Sequence, residues 1–93
     1  MIKHFSASGY ISGAAGQDVG CQITGLTVFP GTVDGTVKVD QGINGADDVV
    51  IPVFNVIKDL TPFHIPIYPR IYSSKRTYIT LTGTALEVLV QYG

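Results

Sequence analysis

The chain consists of short runs of β-branched and aromatic residues separated by turn residues. Val, Ile, Thr, Tyr and Phe are concentrated in these runs, whereas eleven glycines and five prolines are spread between them. No window of about 11 residues has sustained helical periodicity. This pattern is typical of an all-β protein. It predicts about six to eight short antiparallel strands in a small β-sandwich or jelly-roll-like barrel.

The CQITGLTVF run predicts a strand with one irregularity. Cys21 and Ile23 share one face of this strand, whereas Leu26 and Val28 have the opposite parity. One extra residue near Gly25 would bring all four side chains to a common inward face. We therefore predict a β-bulge at this glycine.

Strands are also predicted on both sides of this run. The first lies near residues 1–5 and is expected to continue through residues 10–11, before a loop in SGAAGQDVG. Residues 32–40 alternate between apolar and polar positions, and the QGINGADD segment after them predicts a loop that reverses at Asn44 and Gly45. The inward positions of this strand are Val37 and Val39, and the outward positions are Thr36, Lys38 and Asp40.

The C-terminal half begins with a strongly apolar run. Residues 48–57 are apolar on both parities, which predicts either a strand buried on both faces or an edge strand covered by another surface. Pro52 favours the edge position because it cannot donate a hydrogen bond to a ladder. Three further prolines exclude a long, regular central strand within residues 58–72.

Residues 76–81 and 85–92 are expected to form a closing hairpin. The last strand of a chain stays ordered only if its backbone pairs and its side chains pack. Residues 86–90 are therefore predicted to be a central strand of one sheet. The inward side chains are expected to be Ile79, Leu81, Leu86, Val88 and Val90. A small barrel of the oligonucleotide-binding type is the main alternative fold, although it usually includes a helix that this pattern does not contain.

Length and charge bound the organisation of the protein. The 93 residues are expected to form a single domain, residues 1–93. Charged residues make up 14% of the chain, below the roughly 25% usual for soluble domains, which predicts neutral surface that a neighbour covers. The single cysteine excludes an intrachain disulfide, and small domains without one often gain stability by association. A homo-oligomer is therefore expected, with a trimer favoured.

Charge and hydropathy also exclude several partners. The formal net charge of −1 gives no electrostatic footprint for nucleic acid or an anionic membrane. The first ten residues, MIKHFSASGY, lack the apolar core of a signal peptide, and the longest apolar run, VVIPVF, is too short to span a bilayer. We expect a soluble chain made in the cytosol, with no nucleic-acid or membrane partner.

Two sets of polar residues suggest chemistry, but neither forms a specific motif. Asp40, Asp47 and Asp48 carry oxygens that suit calcium, but their spacing matches no EF-hand loop, and a solvated loop is favoured. Cys21 and His64 with an acid would be the parts of a nucleophilic site. Cys21, however, lies on an inward face without a catalytic signature around it. We therefore predict that the protein is not an enzyme and has no catalytic residue, metal or cofactor.

Residues 58–76 interleave aromatic and cationic side chains among three prolines. Such a mixture can stack bases and hold phosphates, and it is also enriched in the cores of protein–protein interfaces. Because the net charge is not basic, an interface is favoured over nucleic acid, while a loop that packs its aromatics over its own core is an equal alternative. The predicted interface residues are Phe63, Tyr68, Arg70 and Tyr72, with Ile2 and Phe5 as a weaker second contact.

Four stretches of the chain carry a resemblance to a known group of proteins. They are FSASGYISG, CQITGLTVF, GTVKVDQG and YITLTGTALEVLVQYG. In order and layout they resemble small single-domain β-proteins of tailed-bacteriophage virions, and the resemblance spans most of the chain. It implies a jelly-roll-like or sandwich protein that is associated with the capsid, such as a head decoration or cement protein that binds the assembled shell.

The same resemblance implies partners and a location. The partners would be the major capsid protein or other virion subunits, and the location would be the virion, after synthesis in the host cytoplasm. A structural subunit of the neck, tail or fibre is an alternative. A carbohydrate-binding β-sandwich module is another, with Tyr68 and Tyr72 as an aromatic platform for sugar.

Overall fold

A computed structural model describes residues 1–12, 20–41, 48–73 and 75–93. The strands in these ranges are β1 (Ile2–Phe5), β2 (Gly9–Ser12), β3 (Cys21–Phe29), β4 (Gly35–Gln41), β5 (Asp48–Val56), β6 (Phe63–Ser73), β7 (Thr77–Thr82) and β8 (Glu87–Tyr92). No helix of a length and hydropathy suited to crossing a membrane occurs in the described part of the chain. The predicted loops in SGAAGQDVG and at Asn44 and Gly45 fall outside the described residues, apart from the ends of the first loop.

The eight strands form two antiparallel sheets of four strands each. Sheet A has the order β1-β8-β3-β6, and sheet B has the order β2-β7-β4-β5. Strand β1 pairs with β8, β2 with β7, β3 with β6, and β4 with β5. This is the strand order of a jelly roll, in which a long antiparallel hairpin is rolled into two facing sheets. The predicted all-β sandwich is confirmed, and the alternative five-stranded barrel is not the fold of this chain.

The core lies between the two sheets and is almost entirely aliphatic. Its buried apolar residues are Phe5, Ile11, Cys21, Ile23, Leu26, Val28, Val37, Val39, Val56, Ile79, Leu86, Val88 and Val90. The predicted inward positions are therefore confirmed, except that Leu81 is only partly buried against this core. Each fully buried aliphatic side chain stabilises the fold by roughly 1.5–3 kcal/mol.

The predicted bulge in β3 is confirmed. The register of β3 shifts between Ile23 and Gly25 on both of its neighbours. Against β8 the extra residue is Thr24, whose hydroxyl donates to the carbonyl of Gln91 at 3.3 Å. This single insertion places both halves of β3 with their apolar side chains toward the core.

Two predicted connections are wrong, and both errors concern the crossing between sheets. The first strand does not continue through residues 10–11, because β1 belongs to sheet A and β2 to sheet B, with exposed residues 6–8 between them. Strands β7 and β8 do not form a hairpin, because they also lie in different sheets. Gly83 and Ala85 have φ angles of 119° and 60°, and they turn the chain from sheet B to sheet A. The prediction that residues 86–90 contribute a central strand is confirmed, since β8 pairs with both β1 and β3.

Strand β5 is the edge of sheet B among the described residues, as Pro52 predicts. The register between β4 and β5 shifts twice, between Val37 and Val39 and again between Val39 and Asp40. In both places β5 carries the extra residue, because its partners there run from Phe54 to Ile51 and then to Val49. An edge strand tolerates these irregularities because it pairs on one side only.

The prediction that Asp40 is solvated is wrong. Its side chain is only 2% exposed, although it shares the outward parity of Lys38. Asp40 lies in β4, between β5 and β7, where its cross-strand partners are Val49 and Tyr78. The Lys38 ammonium lies 3.3 Å from Oδ2 of Asp40, whereas Oδ1 is buried without a hydrogen-bond partner among the described residues.

Candidate interaction surface

The proline-rich segment, residues 58–72, is mostly a strand. Residues 63–73 form β6, which pairs with β3 and lies at the edge of sheet A among the described residues. Pro66 and Pro69 fit an edge strand because a strand that pairs on one side needs fewer backbone donors. The expectation that this segment is not a regular central strand is confirmed, but the alternative of a loop is wrong for residues 63–73, which form β6.

A local irregularity of β6 presents its most exposed aromatic side chain. Ile71 pairs with Ile23 and Pro66 pairs with Gly25, so residues 67–70 of β6 stand opposite Thr24 alone. The extra residues bulge away from the ladder. Tyr68 lies in this bulge and is 96% exposed. A tyrosine that exposes its whole ring leaves a large apolar surface in water.

Two neighbours of Tyr68 extend the exposed surface. The Arg70 side chain is exposed, and its Nη1 donates to Oε1 of Gln22 at 2.8 Å. Guanidinium carries five N–H donors, so donors remain for a second acceptor. Tyr72 is 72% exposed and pairs with Gln22 across the ladder. We refer to Tyr68, Arg70 and Tyr72 as the β6 surface.

The other predicted interface residues lie elsewhere. Phe63 is half-buried opposite Val28 and packs against the core of its own domain. Ile2 is exposed on β1, at the far edge of sheet A. Phe5 is 6% exposed and belongs to the core, so its side chain has little surface to offer a neighbour. The structure therefore brings together Tyr68, Arg70 and Tyr72 but not the other three residues. Contact of any of the six with a neighbouring subunit stays a prediction.

The outer face of sheet A connects Ile2 with β6. Ile2, Gln91, Gly25 and Pro66 stand opposite one another on the four strands, so the two edges are about 14 Å apart. A Cβ atom at Gly25 would lie 2.6 Å from Oε1 of Gln91 and 2.9 Å from Cε1 of His64. The Gln91 and His64 side chains thus cover the glycine, and a partner as wide as the sheet can contact both edges.

The residues considered for nucleophilic catalysis are not assembled. Cys21 pairs with Ser73 and His64 pairs with Thr27, which places them about 20 Å apart along β3. Cys21 is buried, whereas His64 is exposed and its Nδ1 lies 2.9 Å from the Thr27 hydroxyl. The prediction that the protein is not an enzyme remains a prediction.

The aspartates considered for calcium are only partly described. Asp47 lies outside the described residues, and of Asp48 only the backbone is described. Asp40 is buried beside Lys38, as given above. Among the described residues, no group of three His, Cys, Asp or Glu side chains is placed to hold a metal ion.

Sequence patterns gave no signal for two polar pairs on the outer face of sheet A. Gln22 holds Arg70, and His4 Nε2 lies 2.7 Å from Oε1 of Glu87 with both side chains about half exposed. The members of each pair lie far apart in the sequence and meet only through strand register. No local periodicity identifies such partners.

The β6 surface combines exposed apolar area with hydrogen-bond donors. Two tyrosine rings supply apolar area, and a guanidinium supplies directional donors. The chain matches no protein-family model, and no curated protein and no solved structure is similar enough to be counted as a match.

Proposed function

We propose that this protein is a non-enzymatic structural subunit of a phage virion, of the head decoration or cement type. In this role it binds the assembled shell through the β6 surface. The observation that carries the proposal is the exposure of Tyr68 and Tyr72 beside Arg70 on an edge strand. The resemblance of four sequence stretches to small virion β-proteins supplies the class of partner. The jelly-roll fold occurs in capsid and lectin domains, and by itself it does not decide function.

The chemistry of the β6 surface specifies the partner face. Tyrosine rings bury large area at a small loss of rotamer freedom, and Arg70 can bind a carboxylate through two parallel hydrogen bonds. Pro66 and Pro69 restrict the backbone that carries these side chains, so less entropy is lost on docking. The partner is therefore a shell subunit with shallow apolar pockets next to an acidic side chain.

The symmetry of a shell allows a surface as small as the β6 surface to give stable binding. A subunit that docks at every equivalent position of a shell adds many weak contacts, and association between neighbouring copies multiplies their effect. A homo-oligomer, with a trimer favoured, fits this arrangement. Ile2, at the other edge of sheet A, is the second contact.

The direct test is co-sedimentation of the purified chain with assembled shells of the phage that encodes it. Tyr68→Ala, Arg70→Ala and Tyr72→Ala are each expected to weaken binding at least tenfold while the domain stays folded. Val33→Ala is the control, because Val33 is an exposed apolar residue in the connection between β3 and β4, outside both sheets. It is expected to bind like the parent.

Three results would contradict the proposal. Binding of all three variants at the parent level would exclude the β6 surface as the contact. Failure of the parent chain to bind shells, combined with binding to isolated necks, tails or fibres, would replace the head location by one of those assemblies. Failure to bind any of them would reject the virion role.

A further inference from the structure

A groove lies on sheet B, away from the β6 surface. It encloses about 480 Å³ near the ends of β4, β5 and β7. The residues that line it are Asp34, Gly35, Thr36, Asn55, Val56, Ile57 and Thr82. Its volume is within the range of small-molecule sites, and none of these residues belongs to the surface proposed to bind the shell.

Three polar side chains cross the groove in one row. Thr36 on β4 stands opposite Thr82 on β7 and opposite Asn55 on β5. The next residue of β4, Val37, is fully buried, so Thr36 and its two partners point away from the core. The row spans two strand spacings, about 10 Å.

Hydrogen bonds within the chain fix most of the groove. The Thr82 hydroxyl accepts from the backbone N–H of Thr36 at 3.0 Å, and the two threonine hydroxyls are 2.5 Å apart. Oδ1 of Asp34 accepts from the backbone N–H of Lys58 at 2.9 Å. These groups are held in place before any ligand arrives, which lowers the entropy lost on binding.

Asn55 is the polar side chain of the groove that remains available. It is exposed, and no hydrogen bond of its amide to another described residue is present. A carboxamide has both an acceptor oxygen and a donor NH₂ group. Beside it, Ile57 is 59% exposed and supplies apolar surface at the same end of the groove.

The lining selects the chemical class of the ligand. Hydroxyls and an amide offer both donors and acceptors, and the single charged side chain of the lining is the carboxylate of Asp34. Asp34 forms no ion pair with another described residue, and its negative charge disfavours anions such as phosphate or sulfate. We propose that the groove binds a neutral saccharide, whose hydroxyls bond to the polar row and whose C–H face packs on Ile57.

The test is an NMR titration of the intact ¹⁵N-labelled chain with maltose, cellobiose, lactose and N,N′-diacetylchitobiose, each to about 10 mM. At least one sugar is expected to shift the backbone amide signals of Thr36, Asn55 and Thr82. Asn55→Ala is expected to weaken that binding about fivefold or more, since it removes two hydrogen-bonding groups and breaks no side-chain hydrogen bond to another described residue.

Matched variants separate binding from folding. Thr80 lies on β7 opposite Lys38, on the same outward face as Thr82 but outside the groove lining. Thr80→Val is expected to bind sugar like the parent, whereas the same change at Thr82 weakens binding. Tyr68→Ala is also expected to leave sugar binding unchanged. The proposal of a saccharide groove and the proposal of a shell contact are therefore tested independently.

Three outcomes would overturn the proposal. The first is that none of the four sugars shifts the groove signals. The second is that Asn55→Ala binds sugar as tightly as the parent. The third is that the groove signals move with protein concentration and not with sugar, because a second copy of the chain would then occupy the groove.

Discussion

At the scale of single residues, close backbone approach limits which side chains the chain can carry. A Cβ atom at Gly31 would lie 1.9 Å from the carbonyl oxygen of Thr84, and Thr32 donates to this same oxygen. The segment 84–86 links the two sheets, so it cannot move without disturbing β7 or β8. A backbone atom that is held on both sides cannot give way as a flexible side chain can.

Gly31→Ala is therefore expected to lower the free energy of unfolding by about 3 kcal/mol, at the upper end of overpacking effects. Gly93→Ala is the matched control, because a Cβ atom at Gly93 has nothing within 4 Å. Urea unfolding of both variants measures the difference. Equal midpoints for Gly31→Ala and the parent would show that the 84–86 segment relaxes freely.

Asp40 gives a second prediction at this scale. Its carboxylate is buried, and the Lys38 ammonium beside it is about one-third exposed. Lys38→Met removes the cation and is expected to cost about 1–2 kcal/mol of stability, less than a fully buried pair would because solvent screens Lys38. Lys58→Met, at an exposed position, is the control and is expected to unfold at the parent's midpoint. Unchanged stability of Lys38→Met would mean that the pair contributes nothing.

At the scale of elements, β8 holds sheet A together because it lies between β1 and β3. Val88 and Val90 on this strand are fully buried. Removal of the last eight residues is therefore expected to abolish folding, since it deletes the partner of two strands and part of the core of a domain whose net stability is on the order of 5–10 kcal/mol. A truncated chain that melts cooperatively would contradict this.

Single substitutions on β8 and β5 show whether burial of the deleted side chains, and not merely their number of atoms, determines the loss of stability. Val88→Ala is expected to destabilise the domain by about 2 kcal/mol, because it leaves a cavity in the core. Val53→Ala removes the same atoms from a side chain that is 59% exposed and is expected to cost less than about 0.5 kcal/mol. Thermal melting of both variants gives the comparison.

At the scale of the whole molecule, most of the exposed large apolar side chains fall into two groups. Met1, Ile2, Tyr68 and Tyr72 belong to sheet A and the residues that flank it, whereas Val49, Val53 and Ile57 lie on or beside β5 of sheet B. A domain with few charges and two such surfaces is expected to associate. Native mass spectrometry is expected to find a homo-oligomer, most readily a trimer. A monomer at all concentrations that also fails to bind phage heads or tails would contradict this prediction.

Local pattern was sufficient for β3, β4, β5, β7 and β8, for the predicted inward side chains and for the bulge at Gly25, but not for β6 or for the separation of β1 from β2. Alternation along a strand is set by a period of two residues, and a break in that period is visible without any knowledge of the partner strand. The same holds for Pro52, whose missing donor predicts an edge wherever the strand pairs. The exposed aromatic residues of β6 were recognisable as a candidate surface from composition alone.

Tertiary structure decided which strands share a sheet and which side chains are covered. The chain crosses between sheets at residues 6–8 and 83–86, where the sequence pattern predicts a continuous strand and a hairpin. The same long-range pairing buried Asp40 and Phe5, joined Gln22 to Arg70, and aligned Thr82, Thr36 and Asn55 in one row. Alternation fixes only the direction of each side chain, whereas its neighbours depend on pairing between strands that are distant in the sequence, and that pairing is a property of the whole fold.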